Sequence, residues 1–212
     1  MSARPYHHGG LREAMLERAQ ATLRDSGVDG LSLRELARDI GVSHGAPRRH
    51  FRDKGALLDA LALDGFRRLG EILGEVASAE SPTFAETLTD VAVAYVEFAT
   101  ANPALLELMF TSKHRADASV ELHQAANASF DRVAALVKRG QVAGELVEGD
   151  LHQIGLLLLA TLQGITSLAN TEMIDSTELG QLTAYSVQSL LLGLMPRDSA
   201  RKPLSSPTST DR

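Results

Sequence analysis

The fold is decided by residues 31–54, Leu31-Ser32-Leu33-Arg34-Glu35-Leu36-Ala37-Arg38-Asp39-Ile40-Gly41-Val42-Ser43-His44-Gly45-Ala46-Pro47-Arg48-Arg49-His50-Phe51-Arg52-Asp53-Lys54. Ser32 followed by Glu35 has the pattern of a capping box, in which hydroxyl and carboxylate satisfy free amides at a helix start, and it precedes Leu36, Ala37 and Ile40 at helical spacing. Gly41 stops that helix, because glycine takes the left-handed conformation without a steric cost. Ser43 can cap another helix almost at once, and Pro47 must then lie in its first turn, since proline deeper inside removes a hydrogen bond and clashes with the preceding turn. The spacing therefore predicts a short helix running roughly to Phe51. Ala37 is small where two helices must cross closely, and Leu36, Ile40, Val42 and Phe51 supply a seam, so residues 33–51 have the spacing of a helix-turn-helix. The second helix of such a unit faces outward, and here it carries His44, Arg48, Arg49, His50, Arg52 and Lys54 against one acid, Asp53. A short helix rich in donors suits a major groove and its flanking phosphates.

A solvated basic loop is the plain alternative, as charged runs usually are. Against it stands the distribution of charge. Through Arg68 there are twelve basic and nine acidic residues, net +3, whereas Leu69–Pro196 holds five and sixteen, net −11. The whole-chain charge of −6 excludes a uniformly basic nucleic-acid coat but leaves a local patch, which coincides with the motif. The chain of 212 residues is long enough for one large or two closely joined domains. Zero cysteines exclude disulfides, thiol catalysis and Cys-based metal centres. The most apolar run, 154–162, falls short of the ~18 residues that span a bilayer, and the polar N-terminus lacks a signal-peptide core, so a soluble cytoplasmic protein is expected, with no membrane partner.

Outward from the motif almost everything reads at helical period. Leu11, Met15, Ala19 and Leu23 mark a first helix ending at Ser26-Gly27; Asp53 caps a long fourth reaching about Ser78. Ser81-Pro82 restarts a helix, Asn102-Pro103 breaks it and starts another, and a stripe from Leu122 to Val137 runs to Gly140 or Gly144. Asp150 opens a helix to about Asn170, and Ser176 opens the last, to about Met195. No strand signal is present. The expectation is an all-α protein of about nine helices: a helix-turn-helix DNA-binding domain over 1–52, a larger helical domain over 53–196, and a disordered Ser/Thr/Pro-rich tail over 197–212.

Tyr6-His7-His8-Gly9-Gly10-Leu11-Arg12, Leu31-Ser32-Leu33-Arg34-Glu35-Leu36-Ala37, Gly41-Val42-Ser43-His44-Gly45-Ala46-Pro47 and His50-Phe51-Arg52-Asp53-Lys54-Gly55-Ala56-Leu57-Leu58 resemble the N-terminal domain of TetR-family transcriptional regulators. The resemblance covers about the first 65 residues; beyond them it lies in helix count and lengths. The segments 102–110 and 163–168 resemble a subgroup with a Trp-His-Gly signature, replaced here by Leu162-Gln163-Gly164. The resemblance implies a homodimer placing its recognition helices in successive major grooves of a near-palindromic double-stranded operator, most often as a repressor, released by a small apolar effector. It also implies that Ser43, His44, Gly45, Ala46 and Pro47 open the recognition helix, and that Arg34, His50 and Lys54 touch phosphate. Arg48 stands where the family usually has tyrosine; with Arg49 it is expected to contribute strongly to affinity, through phosphate or a guanine edge.

The helix from Asp150 is apolar nearly all round, which predicts burial on two sides, against its own domain and against a partner chain. Leu157, Ala160, Gly164 and Ser167 there, with Ser186, Ser189 and Gly193 in the last helix, are the candidate dimer contacts, all but Leu157 small enough to permit close helix approach. Candidate effector contacts are Phe66, Phe98, Met109, Phe110, His123, Phe130 and Gln163, each also readable as plain core. His114 and His123 lack metal-pair spacing, and Glu148, Asp150 and His152 converge on a cation only within a loop, so neither metal nor cofactor is expected. No phosphate loop, His-Glu-x-x-His or Gly-x-Ser-x-Gly pattern occurs, and the chain does not read as an enzyme. The competing function is a dimeric small-molecule-binding protein without DNA binding, against which the retained Arg34, Arg49 and Lys54 argue.

Overall fold

A computed structural model of the chain describes residues 10–79 and 83–194. The expected restart at Ser81-Pro82, the tail over 197–212 and the Tyr6–Gly9 part of the family-like motif lie outside these residues. Among the described residues there are eight α-helices, one 3-10 turn and no strand: α1 Gly10–Ser26, α2 Leu33–Ile40, the 3-10 turn Pro47–Arg49, α3 Lys54–Ser78, α4 Phe84–Ala101, α5 Pro103–Lys113, α6 Val120–Val142, α7 Leu151–Asn170 and α8 Leu179–Leu194.

The long α3 organises the rest. Its Asp53 cap accepts a hydrogen bond from the amide of Ala56 at 2.8 Å, satisfying one of the free donors of the first turn. Over 25 residues, about 37 Å at 1.5 Å per residue, its buried face changes partners. Leu57 and Leu61, near its start, are fully buried, and this part of α3 packs with α1; further along, α3 packs against α5 and, most extensively, α6. Glycines permit that approach: a Cβ at Gly70 would lie 2.9 Å from Ser129 Cα, and one at Gly65 2.6 Å from Met109 Sδ. One continuous apolar core runs from Met15 and Leu23 in α1 through Phe66 and Leu69 to Val187 and Leu191 in α8. Between α4 and α5 the axis turns by 101°, because Pro103 cannot continue α4; the Asn102 amide meanwhile donates to the Phe98 carbonyl at 2.9 Å.

Three local expectations change. Ser32 stands at the N-cap of α2 in extended conformation, but its hydroxyl makes no capping bond, and Glu35 lies 3.9 Å from Arg38 instead of closing the box. The last helix begins at Leu179 rather than Ser176; the Asp175 carboxylate takes the amide and hydroxyl of Thr177, each at 2.8 Å, and closes a local turn that competes with helix. The expected third helix is reduced to one 3-10 turn, so the nine elements are eight α-helices and that turn.

Candidate nucleic-acid interface and apolar chamber

Between α2 and α3 the chain turns sharply. Gly41 adopts φ 79°, the left-handed region that glycine enters freely, and the amide of Val42 returns to the Ala37 carbonyl at 2.9 Å. Ala37 is fully buried at the crossing, with Leu36 and Phe51. Residues 43–46 form a turn closed by the Ala46 amide on the Ser43 carbonyl at 3.0 Å, and the Phe51 amide reaches Pro47 O at 2.9 Å. Gly45 and Pro47 explain why no α-helix forms here: one loses most entropy on ordering and the other supplies no amide donor.

This turn displays its polar residues. Ser43, His44, Gly45, Arg48 and Arg49 are exposed, Ala46 and His50 half-buried, and Pro47 buried as the anchor of the turn. Arg34 is exposed on the first turn of α2, and Lys54, half-buried, opens α3. The ion pairs of this region use other cations: Arg18 with Asp39 at 2.9 Å, Arg38 with Glu35 and Asp39, and Arg52 with Asp53 at 3.1 Å. Among the described residues Arg34, Arg48, Arg49 and Lys54 have no acidic partner within 4.0 Å. Four unneutralised cations around one turn, beside cations that are neutralised, make a surface suited to phosphate.

The second feature lies at the other end of α3. A cavity of about 300 Å³ is lined by Leu73 of α3, Val91 and Tyr95 of α4, Phe130, Val133, Ala134 and Val137 of α6, and Leu151, His152, Gly155, Leu156, Leu158, Leu159 and Leu162 of α7. Tyr95 is only 2 % exposed, its ring 6.5 Å from that of Phe130, and its hydroxyl has no hydrogen-bond partner among the described residues. Leaving a buried hydroxyl unpaired costs about 1–3 kcal/mol. Burial pushes its phenol well above the ordinary value, because the phenolate loses its hydration.

Of the seven residues singled out for an effector, Phe130 alone lines this cavity. Phe66 and Met109 are fully buried core, and Phe66 meets Phe110 edge-on at 5.9 Å. Phe98 is buried beneath the Arg68 guanidinium at 5.9 Å. His123 is exposed, its Nδ1 against the Ser119 carbonyl at 2.9 Å, and half-buried Gln163 points to no chamber wall. In the sequence Tyr95 is legible only as one more member of an apolar stripe. Gly155, a missing side chain inside the apolar run 154–162, is the one sign there of a hollow.

Of the candidate dimer contacts, Leu157, Ala160, Gly164, Ser167, Ser189 and Gly193 are exposed and Ser186 is half-buried. They share the outer face of α7 and α8 with Leu168, Tyr185 and Leu192, the last two 69 % and 73 % exposed. The expectation that α7 is covered on two sides therefore holds on one side within a single chain, through Ile154, Leu158, Leu162 and Ile165. By length and composition α7 as a whole is apolar enough to cross a bilayer, more than the short run 154–162 suggested, but that inner face is packed in the helical core. A polar tie joins the start of α3 to the connection between α5 and α6. Arg115, in the turn after α5, reaches Asp59 of α3 at 3.1 Å and holds Asp117 through Nε and Nη2 at 3.0 and 2.8 Å. The Arg115 guanidinium keeps the Asp117 carboxyl below its usual range, while burial outweighs it at Asp59 and raises that one.

Known proteins place both halves. Residues 15–61 match the family described as bacterial regulatory proteins, tetR family, and residues 88–187 match the tetracyclin repressor-like C-terminal domain. A solved protein of unknown function from Rhodococcus sp. RHA1 is 42 % identical, with a TM-score of 0.85 over 92 % of this chain and 100 % of its own. The TetR-family regulator PfmR of Thermus thermophilus shares the fold at 18 % identity, TM-score 0.66, over 86 % of this chain and 99 % of its own. Among curated proteins, the class C tetracycline repressor of Escherichia coli is 49 % identical over 51 residues, 24 % of this chain and 23 % of that one. The transcriptional repressor AcnR of Corynebacterium diphtheriae is 36 % identical over 64 residues, 30 % and 34 % of the two chains. The chain thus spans about a quarter to a third of these curated relatives, and the shared part is the helix-turn-helix end. With an all-helical fold and two matched family domains, the chain belongs to the TetR family of transcriptional regulators, DNA-binding proteins and not enzymes.

Proposed function

We propose that this protein is a ligand-responsive repressor that binds an inverted-repeat operator as a homodimer and is released when a small, largely apolar effector enters the chamber between α3, α4, α6 and α7. The observation that carries the DNA half is the set of unneutralised cations, Arg34, Arg48, Arg49 and Lys54, bracketing an exposed turn in a chain of net charge −6. Ser43, His44, Gly45 and Ala46 form the tip that enters the groove, Pro47 holds the turn from beneath, and His50 joins the phosphate contacts. The operator is cytoplasmic DNA, so the protein works in the cytoplasm. Residues 1–52 are the reading unit and 53–196 the sensing and pairing unit, with α3 belonging mechanically to both.

Two copies pair through the outer faces of α7 and α8. Leu157, Leu168, Tyr185 and Leu192 exposed on neighbouring helices favour an interface over a solvated face, and Gly164, where a Cβ would meet nothing within 4 Å, leaves room for a partner helix. Effector coupling runs through α3, whose Leu73 touches the chamber and whose first turn holds Lys54, with Arg115 fixing Asp59 in the next turn to the α5–α6 connection. An effector that binds one separation of the two reading units better than the other shifts the dimer away from its operator-binding form.

Arg49→Ala and Lys54→Ala test the reading. Each is expected to weaken binding to duplex DNA while sedimentation still shows a dimer, and wild-type log K is expected to fall against log salt with a slope of roughly −0.9 per neutralised phosphate. Unchanged affinity in both variants, or a nearly salt-independent interaction, refutes the assignment and favours a dimeric ligand-binding protein without DNA function.

A further inference from the structure

The chamber's wall is graded. Leu73, Val91, Tyr95, Val137, Leu158 and Leu162 are buried at its depth, whereas Ala134, His152, Gly155 and Leu156 are exposed, so it opens between α6 and the first half of α7. Its volume of about 300 Å³ is at the lower end of small-molecule sites, ~300–1,000 Å³. Among the described residues no lysine, arginine, aspartate or glutamate contributes to the wall, and the one side chain there that can carry positive charge, His152, sits at the open end. Among the described residues the depth holds one hydrogen-bonding side chain, the Tyr95 hydroxyl, and it has no partner there. Phenylalanine would fill the same volume without stranding a donor, so the packing of α4 does not account for the hydroxyl.

Resting on the effector reading above, we infer that the chamber selects an uncharged, mainly apolar molecule with one hydrogen-bond acceptor, such as a ketone, ester or amide carbonyl, and that Tyr95 Oη donates the bond that orients it. The neutral phenol that burial maintains is a donor throughout the physiological range. A carboxylate or phosphate at that depth would meet no cation, and an uncompensated buried charge is far costlier than a buried carbonyl with its donor in place. Acidic ligands therefore bind, if at all, with the charged end at the mouth near His152 and leave Tyr95 unpaired.

The test uses the full-length protein and 6-propionyl-2-(dimethylamino)naphthalene, an uncharged aromatic ketone whose emission moves to the red when its carbonyl accepts a hydrogen bond. Saturable binding to the wild type is expected, with displacement by decan-2-one at least tenfold stronger than by decanoate. Tyr95→Phe is expected to weaken the dye about tenfold, the equivalent of ~1.4 kcal/mol, and to shift its bound emission to the blue. Gly155→Trp should block the mouth; a Cβ there meets nothing within 4 Å and removes a helix-weakening glycine, and Val133→Trp blocks the facing wall as a second variant. If both blocking variants abolish binding but Tyr95→Phe changes neither affinity nor emission, the role of Tyr95 is overturned and the chamber stands. If the blocking variants bind the dye normally, or the wild type binds neither dye nor decan-2-one, the chamber reading falls with it. Displacement by decanoate as strong as by decan-2-one overturns the uncharged class.

Discussion

Two glycines one turn apart on α3 are expected to respond to the same substitution with opposite signs. An ideal Cβ at Gly70 lies 2.9 Å from Ser129 Cα and 3.3 Å from Ser129 Cβ, whereas comfortable carbon contacts need ~3.5–4.0 Å. The obstacle is backbone, and Ser129 is buried with its hydroxyl on the Ala126 carbonyl at 2.8 Å, so α3 and α6 must separate by roughly half an ångström or more. Such overpacking costs about 1–3 kcal/mol, offset by ~1 kcal/mol from replacing a helical glycine with alanine. Gly70→Ala should therefore destabilise by up to roughly 2 kcal/mol, a fall in Tm of up to about 8 °C for a chain of this size. At Gly74 the nearest atoms are the side chain of Arg132, at 2.6 Å, and that side chain is solvent-exposed and free to swing away. Most of the helix-propensity gain then survives, and Gly74→Ala should raise Tm by about 1–3 °C. Thermal melts followed by circular dichroism at one fixed protein concentration, without ligand, make the comparison, since dimerisation otherwise shifts the midpoint. Gly70→Ala melting at or above the wild-type temperature, or both variants falling together, would refute the close backbone crossing of α3 and α6.

Arg115→Ala removes the counter-ion of Asp59, whose side chain is 17 % exposed, and should destabilise by about 1–2 kcal/mol; a double variant with Asp59→Asn should fall short of the sum of the singles, and strict additivity in denaturant melts would show the pair to be uncoupled. Gly164→Leu, on the outer face of α7, should dissociate the dimer without unfolding the chain, and an unchanged sedimentation profile would move the interface elsewhere. On the alkaline side, an unfolded phenol ionises near pH 10 while buried Tyr95 stays neutral, so burial of the neutral phenol leaves stability unchanged below pH 10 and costs stability as pH rises beyond it. Tyr95→Phe should flatten the wild-type decline in stability above pH 10, and parallel pH profiles would place Tyr95 in contact with water.

What can be read without coordinates is whatever periodicity and single-residue stereochemistry determine. The stop at Gly41, the small Ala37 crossing, the Asp53 and Asp150 caps and the break at Asn102-Pro103 are local rules, and the folded chain obeys them. The idle Ser32 hydroxyl shows where such rules weaken, because a cap pattern states what a side chain can reach, not what it does. The 3-10 turn at Pro47–Arg49 departs further, since the spacing of Ser43 and Pro47 suits a helix start although Gly45 and Pro47 together oppose one. The chamber is the hardest to foresee. A cavity is a property of four helices meeting, and periodicity cannot distinguish Phe66, which fills the core, from Phe130, which borders a hollow. Tyr95 and Phe66 carry the same helical pattern; only the packing around each separates an unpaired hydroxyl from a closed aromatic pair.

The central claim is sequence-specific recognition by a paired reading unit, and the most direct measurement is selection of random-sequence duplex DNA by the purified full-length protein, with the retained molecules sequenced. The account predicts enrichment of an inverted repeat with half-sites about one helical turn apart, as two-fold symmetry demands, lost in Arg49→Ala. A folded dimer that enriches no sequence, with or without a ligand in its chamber, would contradict it.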